Sequence, residues 1–152
     1  MKIGDRAPDF DLKDETGTSR SLTDLLAGGP VVLYFYPQAM TPGCTKESCH
    51  FRDLASEFKE AGAQRVGISA DKVEKQQQFS TKYNFDFPLL SDPDKSVAKA
   101  YGVRRGPSVI PNKRATFVIG SDGLIKEMIS SETNMNAHAD KALAALRASA
   151  AS

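Results

Sequence analysis

Hydrophobic and polar positions change their pattern several times along the chain. In the stretch PDFDLKDETGTSRSL, Pro8 to Leu22, Phe10 and Leu12 alternate with charged neighbours before the polar turn Glu15-Thr16-Gly17. That pattern predicts a short N-terminal hairpin. Gly28-Gly29-Pro30 then breaks the chain. Val31 to Tyr36 is a continuous apolar run of β-branched and aromatic residues, stopped by Pro37. A strand without polar alternation is buried on both faces, so this run predicts a central strand with parallel pairing. Phe51, Leu54, Ala55 and Phe58 recur at helical spacing and predict a helix that Gly62 ends.

Arg65 to Ala70 reads as a second strand, and Asp71 as the cap of a helix reaching about Tyr83. Pro88 to Asp92 is a short extended piece. Ser96 to Tyr101 forms a short helix closed by Gly102. Ala115 to Ile119 and Leu124 to Ile129 are strands joined across Ser121-Asp122-Gly123, a strong hairpin signal. A last helix carries Ala139, Leu143 and Leu146 on one stripe, and the small-residue tail Ala148 to Ser152 is expected to fray. Strands and helices alternate, and a late antiparallel hairpin is added. The order predicts an α/β thioredoxin-like fold: a central mixed sheet flanked by helices, with an N-terminal β-hairpin extension.

Composition narrows the function. The 152 residues suit one domain, 40% hydrophobic and 26% charged. The net charge of +1 carries no single-sign field, so neither nucleic acid nor an acidic membrane is an expected partner. No apolar run is long enough to span a bilayer, and MKIGDRAPDF lacks the apolar region of a signal peptide. A soluble, cytoplasmic protein is expected. Two cysteines are too few for a disulfide framework, and in that compartment a cysteine pair is expected to be catalytic or redox-active.

Both cysteines lie in YPQAMTPGCTKESCH, Tyr36 to His50. Ligands at open α/β sheets bind at the carboxyl ends of the strands, which is where this stretch falls. Thr41 suits an N-cap and Pro42 the first helical position. Cys44 is then third, among backbone N–H groups that have no helical partner and at the positive end of the dipole. Helix N-termini favour the thiolate over the thiol, which makes Cys44 a candidate nucleophile. Gly43 leaves the approach to it free of a side chain. Cys49 lies about 140° round the helix, with Cα atoms about 8.7 Å apart. A disulfide needs less than about 7 Å, so the pair bonds only if the first turns unwind.

Pro37-x-x-x-Thr41-x-x-Cys44 resembles the Pro-x-x-x-Thr-x-x-Cys signature of the peroxiredoxins. TPGCTKESCHFRD, with its second cysteine five residues on, resembles the Q-type subfamily, the bacterioferritin comigratory proteins. GDRAPDFDL, VVLYFYP, FPLLSDPDKSVAKAYGV and RATFVIGSDG extend the likeness through most of the chain. The resemblance implies a peroxidatic Cys44, a Thr41 that hydrogen-bonds the peroxide and a Pro37 that shields the sulfur. It further implies that Arg114 is the motif's arginine, that Glu47 orients it, and that Cys49 is the resolving cysteine. The implied reaction reduces hydrogen peroxide and organic hydroperoxides through a Cys44 sulfenic acid and a Cys44–Cys49 disulfide. Thioredoxin or a similar dithiol protein would restore the thiols, with no metal, haem or flavin, in a monomer. Ser108 to Lys113, before Arg114, is less typical of the family, as are Gln38-Ala39-Met40.

Other readings stay open at this level. Cys44 could be an inert core thiol and Cys49 a surface thiol without a role. Arg114 could be a surface charge, and Glu47 a favourable first-turn acid. Thr41 is needed as an N-cap in any case. Cys44, Cys49 and His50 do not fit zinc spacing, and His138 adds no ligand pattern. A general disulfide oxidoreductase on the same fold lacks its Cys-x-x-Cys spacing. A redox sensor or holdase that exposes Phe51 when oxidised belongs to another class.

Overall fold

The computed structural model describes residues 1–105 and 111–151. Among the described residues, seven strands form one mixed sheet. The chain begins with β1 (Asp11–Lys13), β2 (Ser19–Ser21), a one-turn helix α1 (Leu22–Leu26) and β3 (Val31–Phe35). Two helices, α2 (Pro42–Asp53) and α3 (Ala55–Glu60), lead into β4 (Gln64–Ser69), followed by α4 (Val73–Tyr83), β5 (Leu89–Ser91) and α5 (Ser96–Ala100). The hairpin β6 (Ala115–Ile119) and β7 (Ile125–Ser130) precedes α6 (Met135–Ala151). The spatial order is β2-β1-β5-β4-β3-β6-β7. β3 pairs parallel with β4 and antiparallel with β6.

Strand β3 is buried throughout because helices cover both faces of the sheet. Val31, Leu33 and Phe35 pack with Leu22, Leu25, Val97 and Phe117 on one side. Val32, Tyr34 and Tyr36 pack with Cys44, Phe51, Phe58, Phe79 and Leu143 on the other. Each fully buried side chain of this size contributes about 1.5–3 kcal/mol. The expected hairpin is β1–β2, and it joins the main sheet through Lys13 opposite Ser91. Its turn is organised by the buried Asp14 carboxylate, which accepts from the Thr16 N–H and hydroxyl and from Arg20. The result is the thioredoxin-like sheet with an N-terminal extension.

Two local expectations are corrected, and one short helix was not anticipated. Ser21 caps α1, its hydroxyl accepting the Asp24 N–H at 3.1 Å, a short helix ahead of the Gly28-Gly29-Pro30 break that the sequence reading did not include. The helix expected to run to Gly62 is broken at Leu54 into α2 and α3. The cause is Arg65, whose Nη1 donates to the Phe51 carbonyl at 2.9 Å and takes over an acceptor of the helical ladder. Asp71 does not cap α4. Lys72 holds that position without a side-chain bond, and the Asp71 carboxylate turns back to accept the Ala39 N–H at 2.7 Å and the Ser69 hydroxyl at 2.6 Å. The last helix, α6, runs to Ala151.

Arg65 is nearly buried and also makes a forked pair with Asp86, at 2.9 and 2.7 Å, over the Phe87 ring. An R65M variant keeps the volume but leaves the Phe51 carbonyl and Asp86 without their donor. It is expected to lose about 1–3 kcal/mol of stability, read as a lower denaturant midpoint.

Candidate active site

The site forms at the carboxyl end of β3, where the parallel pairing with β4 directs the chain out of the sheet. Pro37 follows β3 after the buried Tyr36 and is half-buried. Ala39 is tied down by Asp71. Met40 takes a left-handed backbone with φ of 69°, a conformation costing about 1–3 kcal/mol for a side-chain-bearing residue. That turn delivers the chain into α2, with Pro42 in the first turn and Thr45 N–H donating to the Thr41 carbonyl at 2.8 Å.

Thr41 occupies the N-cap position, as expected, but its side chain does not cap. The hydroxyl donates backward to the Gln38 carbonyl at 2.7 Å. The N–H groups of the first turn therefore receive no side-chain acceptor, and Cys44 sits among them. The residue is only 1% exposed.

Arg114 reaches this sulfur from the start of β6, across 70 residues of sequence. Nη2 donates to Cys44 Sγ at 3.3 Å and Nη1 donates to Glu47 Oε1 at 2.7 Å. Its backbone N–H donates to Glu132 Oε2 at 2.8 Å. Arginine presents both donors in one rigid plane, so the Glu47 bond also fixes the direction of the Cys44 bond. Burial works against the Arg114 charge, but Glu47 and Cys44 hold it above the ordinary arginine range. Gly43 makes room for this contact: a Cβ there would lie 3.3 Å from Arg114 Nη2 and 3.4 Å from Met135 Cε.

Glu47 is fully buried and so is no solvent-facing helix acid. Burial pushes its carboxyl up to about 8, with Arg114 opposing the rise and Glu132 adding to it. Behind it, Tyr34 donates to Ser48 Oγ at 2.9 Å and stacks on Phe51 with ring centres 4.3 Å apart, which anchors the buried face of α2.

Cys49 lies on the same regular helix, half-buried, and both cysteines are free thiols. Burial pushes the Cys49 thiol up, Arg52 opposes this, and Asp53 adds to it. His50 is tied to Asp140 of α6 at 2.7 Å. His138 is fully buried behind Glu47. Of the atypical stretch before Arg114, Ser108 to Ile110 lie outside the described residues. The structure thus brings Cys44, Glu47 and Arg114 into contact and places Thr41 at the helix entry. It keeps Cys49 on another face.

Three groups had no role in the sequence reading: Thr116, Glu132, and His138, which was weighed only as a metal ligand. Thr116 lies two residues beyond Arg114 on one strand, so the strand period puts both on one face. His138 precedes Ala142 and Leu146 at helical spacing, and Glu132 carried no signal.

A buried thiol in the first turn of a helix, with a guanidinium on its sulfur and a thioredoxin-like sheet beneath, defines a thiol redox protein. Comparison with known sequences gives the family. Residues 3–128 match the AhpC/TSA family. Peroxiredoxin Bcp of Escherichia coli is 41% identical over 143 residues, covering 91% of each chain. The crystal structure of peroxidoxin BcpB from Mycobacterium tuberculosis is similar at 60% identity and a TM-score of 0.94, over 97% of each chain. The bacterioferritin comigratory protein of Xanthomonas campestris, studied for alkyl peroxide reduction, is 37% identical with a TM-score of 0.84, over 93% of this chain and 92% of its own. The chain belongs to the AhpC/TSA family, among the Q-type or bacterioferritin comigratory peroxiredoxins, and is a thiol-dependent peroxidase.

Proposed function

We propose that Cys44 is the peroxidatic nucleophile of this enzyme, that Cys49 resolves it, and that thioredoxin or a similar dithiol protein completes the cycle. The observation that carries this reading is the 3.3 Å hydrogen bond from Arg114 to the Cys44 sulfur at an uncapped helix N-terminus. The Cys44 thiolate attacks the terminal oxygen of a hydroperoxide. The O–O bond breaks, the sulfur becomes a sulfenic acid, and the leaving alkoxide or hydroxide takes up a proton. Arg114 Nε is buried without a hydrogen-bond partner, which supports a role as donor to a peroxide oxygen. The Cys44 N–H is the further donor of this reading, joined by the Thr41 hydroxyl once it turns from the Gln38 carbonyl, and Pro37 limits access of water.

Cys49 then attacks the sulfenic sulfur, a disulfide forms and water leaves. The dithiol reductant returns both thiols by exchange and leaves as its own disulfide. Because residues five apart on a helix are about 8.7 Å apart at Cα, this step requires the first turns of α2 to open. The Phe51–Tyr34 stack holds the helix beyond them. Hydrogen peroxide and organic hydroperoxides both suit the chemistry, and no metal, haem or flavin takes part. We take the 152 residues as one domain that acts as a monomer in the cytoplasm. Among the described residues no helix is long and apolar enough to cross a membrane.

Stopped-flow mixing of the reduced protein with hydrogen peroxide tests the reading. A reaction orders of magnitude faster than that of a free thiol, absent from C44S, is expected. A wild-type rate equal to that of a free thiol contradicts it.

A further inference from the structure

His138 projects from α6 into the back of the site, and no step above uses it. Its ring is fully buried. Nε2 lies 2.9 Å from the Ser131 carbonyl oxygen, which only accepts, so Nε2 carries a hydrogen and donates it. In the neutral ring Nδ1 is then a lone pair, and it accepts from the Thr116 hydroxyl at 2.7 Å. The same nitrogen lies 3.5 Å from Glu47 Oε2. That oxygen is buried and has no hydrogen-bond partner, while its twin is taken by Arg114. A buried carboxylate oxygen facing a lone pair is unfavourable unless a proton lies between them. On Glu47, that proton is donated toward Nδ1, whose single lone pair takes it when the Thr116 hydroxyl turns away. On Nδ1, it makes an imidazolium facing the carboxylate, and the Thr116 hydroxyl turns to accept.

We propose that Glu47 and His138 hold one proton between them, and that this proton sets the charge that Arg114 presents to Cys44. With the proton in place the pair is neutral and the Arg114 charge is uncompensated beside the sulfur. Once the proton leaves, the Glu47 anion offsets Arg114 and the hold on the thiolate weakens. His138 is thus a positioning residue that acts through Glu47. The inference rests on the reading of Cys44 as the nucleophile.

The charged and titratable groups around the pair agree with it. Burial pushes Glu47 up to about 8 against Arg114 and with Glu132. Burial holds His138 below the ordinary histidine range, the Ser131 carbonyl opposes this, Arg114 and Lys141 add to it, and Glu132 opposes it. Of the two seats the proton therefore favours Glu47 at neutral pH. Tyr34 on β3 is pushed well above its ordinary value by burial and stays neutral.

The test is a carbon NMR titration of protein labelled at its glutamate carboxyls, with the Glu47 signal identified by its loss in E47Q. That signal is expected to titrate near pH 8. In H138Q the amide can still donate to Ser131, but the nitrogen facing Glu47 is gone. The Glu47 midpoint is expected to fall by about one pH unit, and the pH interval over which the peroxide reaction slows is expected to fall with it. A Glu47 midpoint in the ordinary carboxylate range, or one unmoved in a folded H138Q, overturns the proposal. If H138Q does not fold, nitrogen NMR of the wild-type His138 ring decides: an Nδ1 signal that moves with the Glu47 titration supports the sharing, and one that stays fixed through it overturns the proposal. The titration needs no turnover, so an inactive protein and an unshared proton are separate results.

Discussion

Replacing Arg114 with glutamine is expected to slow the reaction of Cys44 with hydrogen peroxide by about 10²–10³-fold, the usual loss when one preorganised donor at a developing charge is removed. Arg114 is the only cation that contacts the sulfur among the described residues, at 3.3 Å. Its Nε is buried without a hydrogen-bond partner, and in the proposed mechanism it donates to a peroxide oxygen. Glutamine is too short and has no charge to hold the thiolate. The variant should remain folded, because Glu47, pushed up to about 8 by burial, is already protonated at neutral pH and leaves no unpaired buried anion when its cation is gone. R114K restores only part of the rate, since one ammonium cannot bond Cys44 and Glu47 in a fixed plane. Stopped-flow rate constants at neutral pH, with circular dichroism as the check on folding, measure this. An R114Q rate within a few-fold of wild type contradicts the assignment.

The second large effect concerns Cys49. C49S is expected to leave the first oxidation of Cys44 unchanged, because Cys49 lies on a different face of α2 and does not contact the sulfur-binding groups. Turnover with thioredoxin should fall to what external thiols alone support. The Cys44 sulfenic acid then persists, and excess peroxide carries it to the sulfinic acid, which dithiols do not reverse. Coupled turnover and single-turnover oxidation, measured on the same preparation, separate the two steps. Full turnover in C49S removes Cys49 from the cycle and leaves the peroxidase reading intact.

How far the sequence announced these groups follows from how local each signal is. Val31 to Tyr36 is legible because burial on both faces removes every polar residue from the strand. Cys44 is legible because Thr41-Pro42-Gly43 writes a helix start into three adjacent residues. Arg114 is not local, since 70 residues separate it from the sulfur, and only the family resemblance pointed to it. Glu47 stayed ambiguous because an acid early in a helix is favourable on a surface as well. Its burial is decided by α6 and β6, which the local pattern does not contain. The break at Leu54 was hidden for a similar reason: Arg65, from the neighbouring strand, removes the Phe51 carbonyl from the ladder. His138 shares a spacing with Ala142 and Leu146 that reads as core, and nothing in that spacing says which carboxylate it will face.

The most direct test of the two-cysteine cycle is the intact mass of the wild-type protein after one equivalent of peroxide and blocking of free thiols. The expected product has lost two hydrogens and takes up no blocking reagent, the mark of a Cys44–Cys49 disulfide and of an opened α2. A product that gains one oxygen and still has Cys49 blocked contradicts the resolving step, and an unreacted protein contradicts the account as a whole.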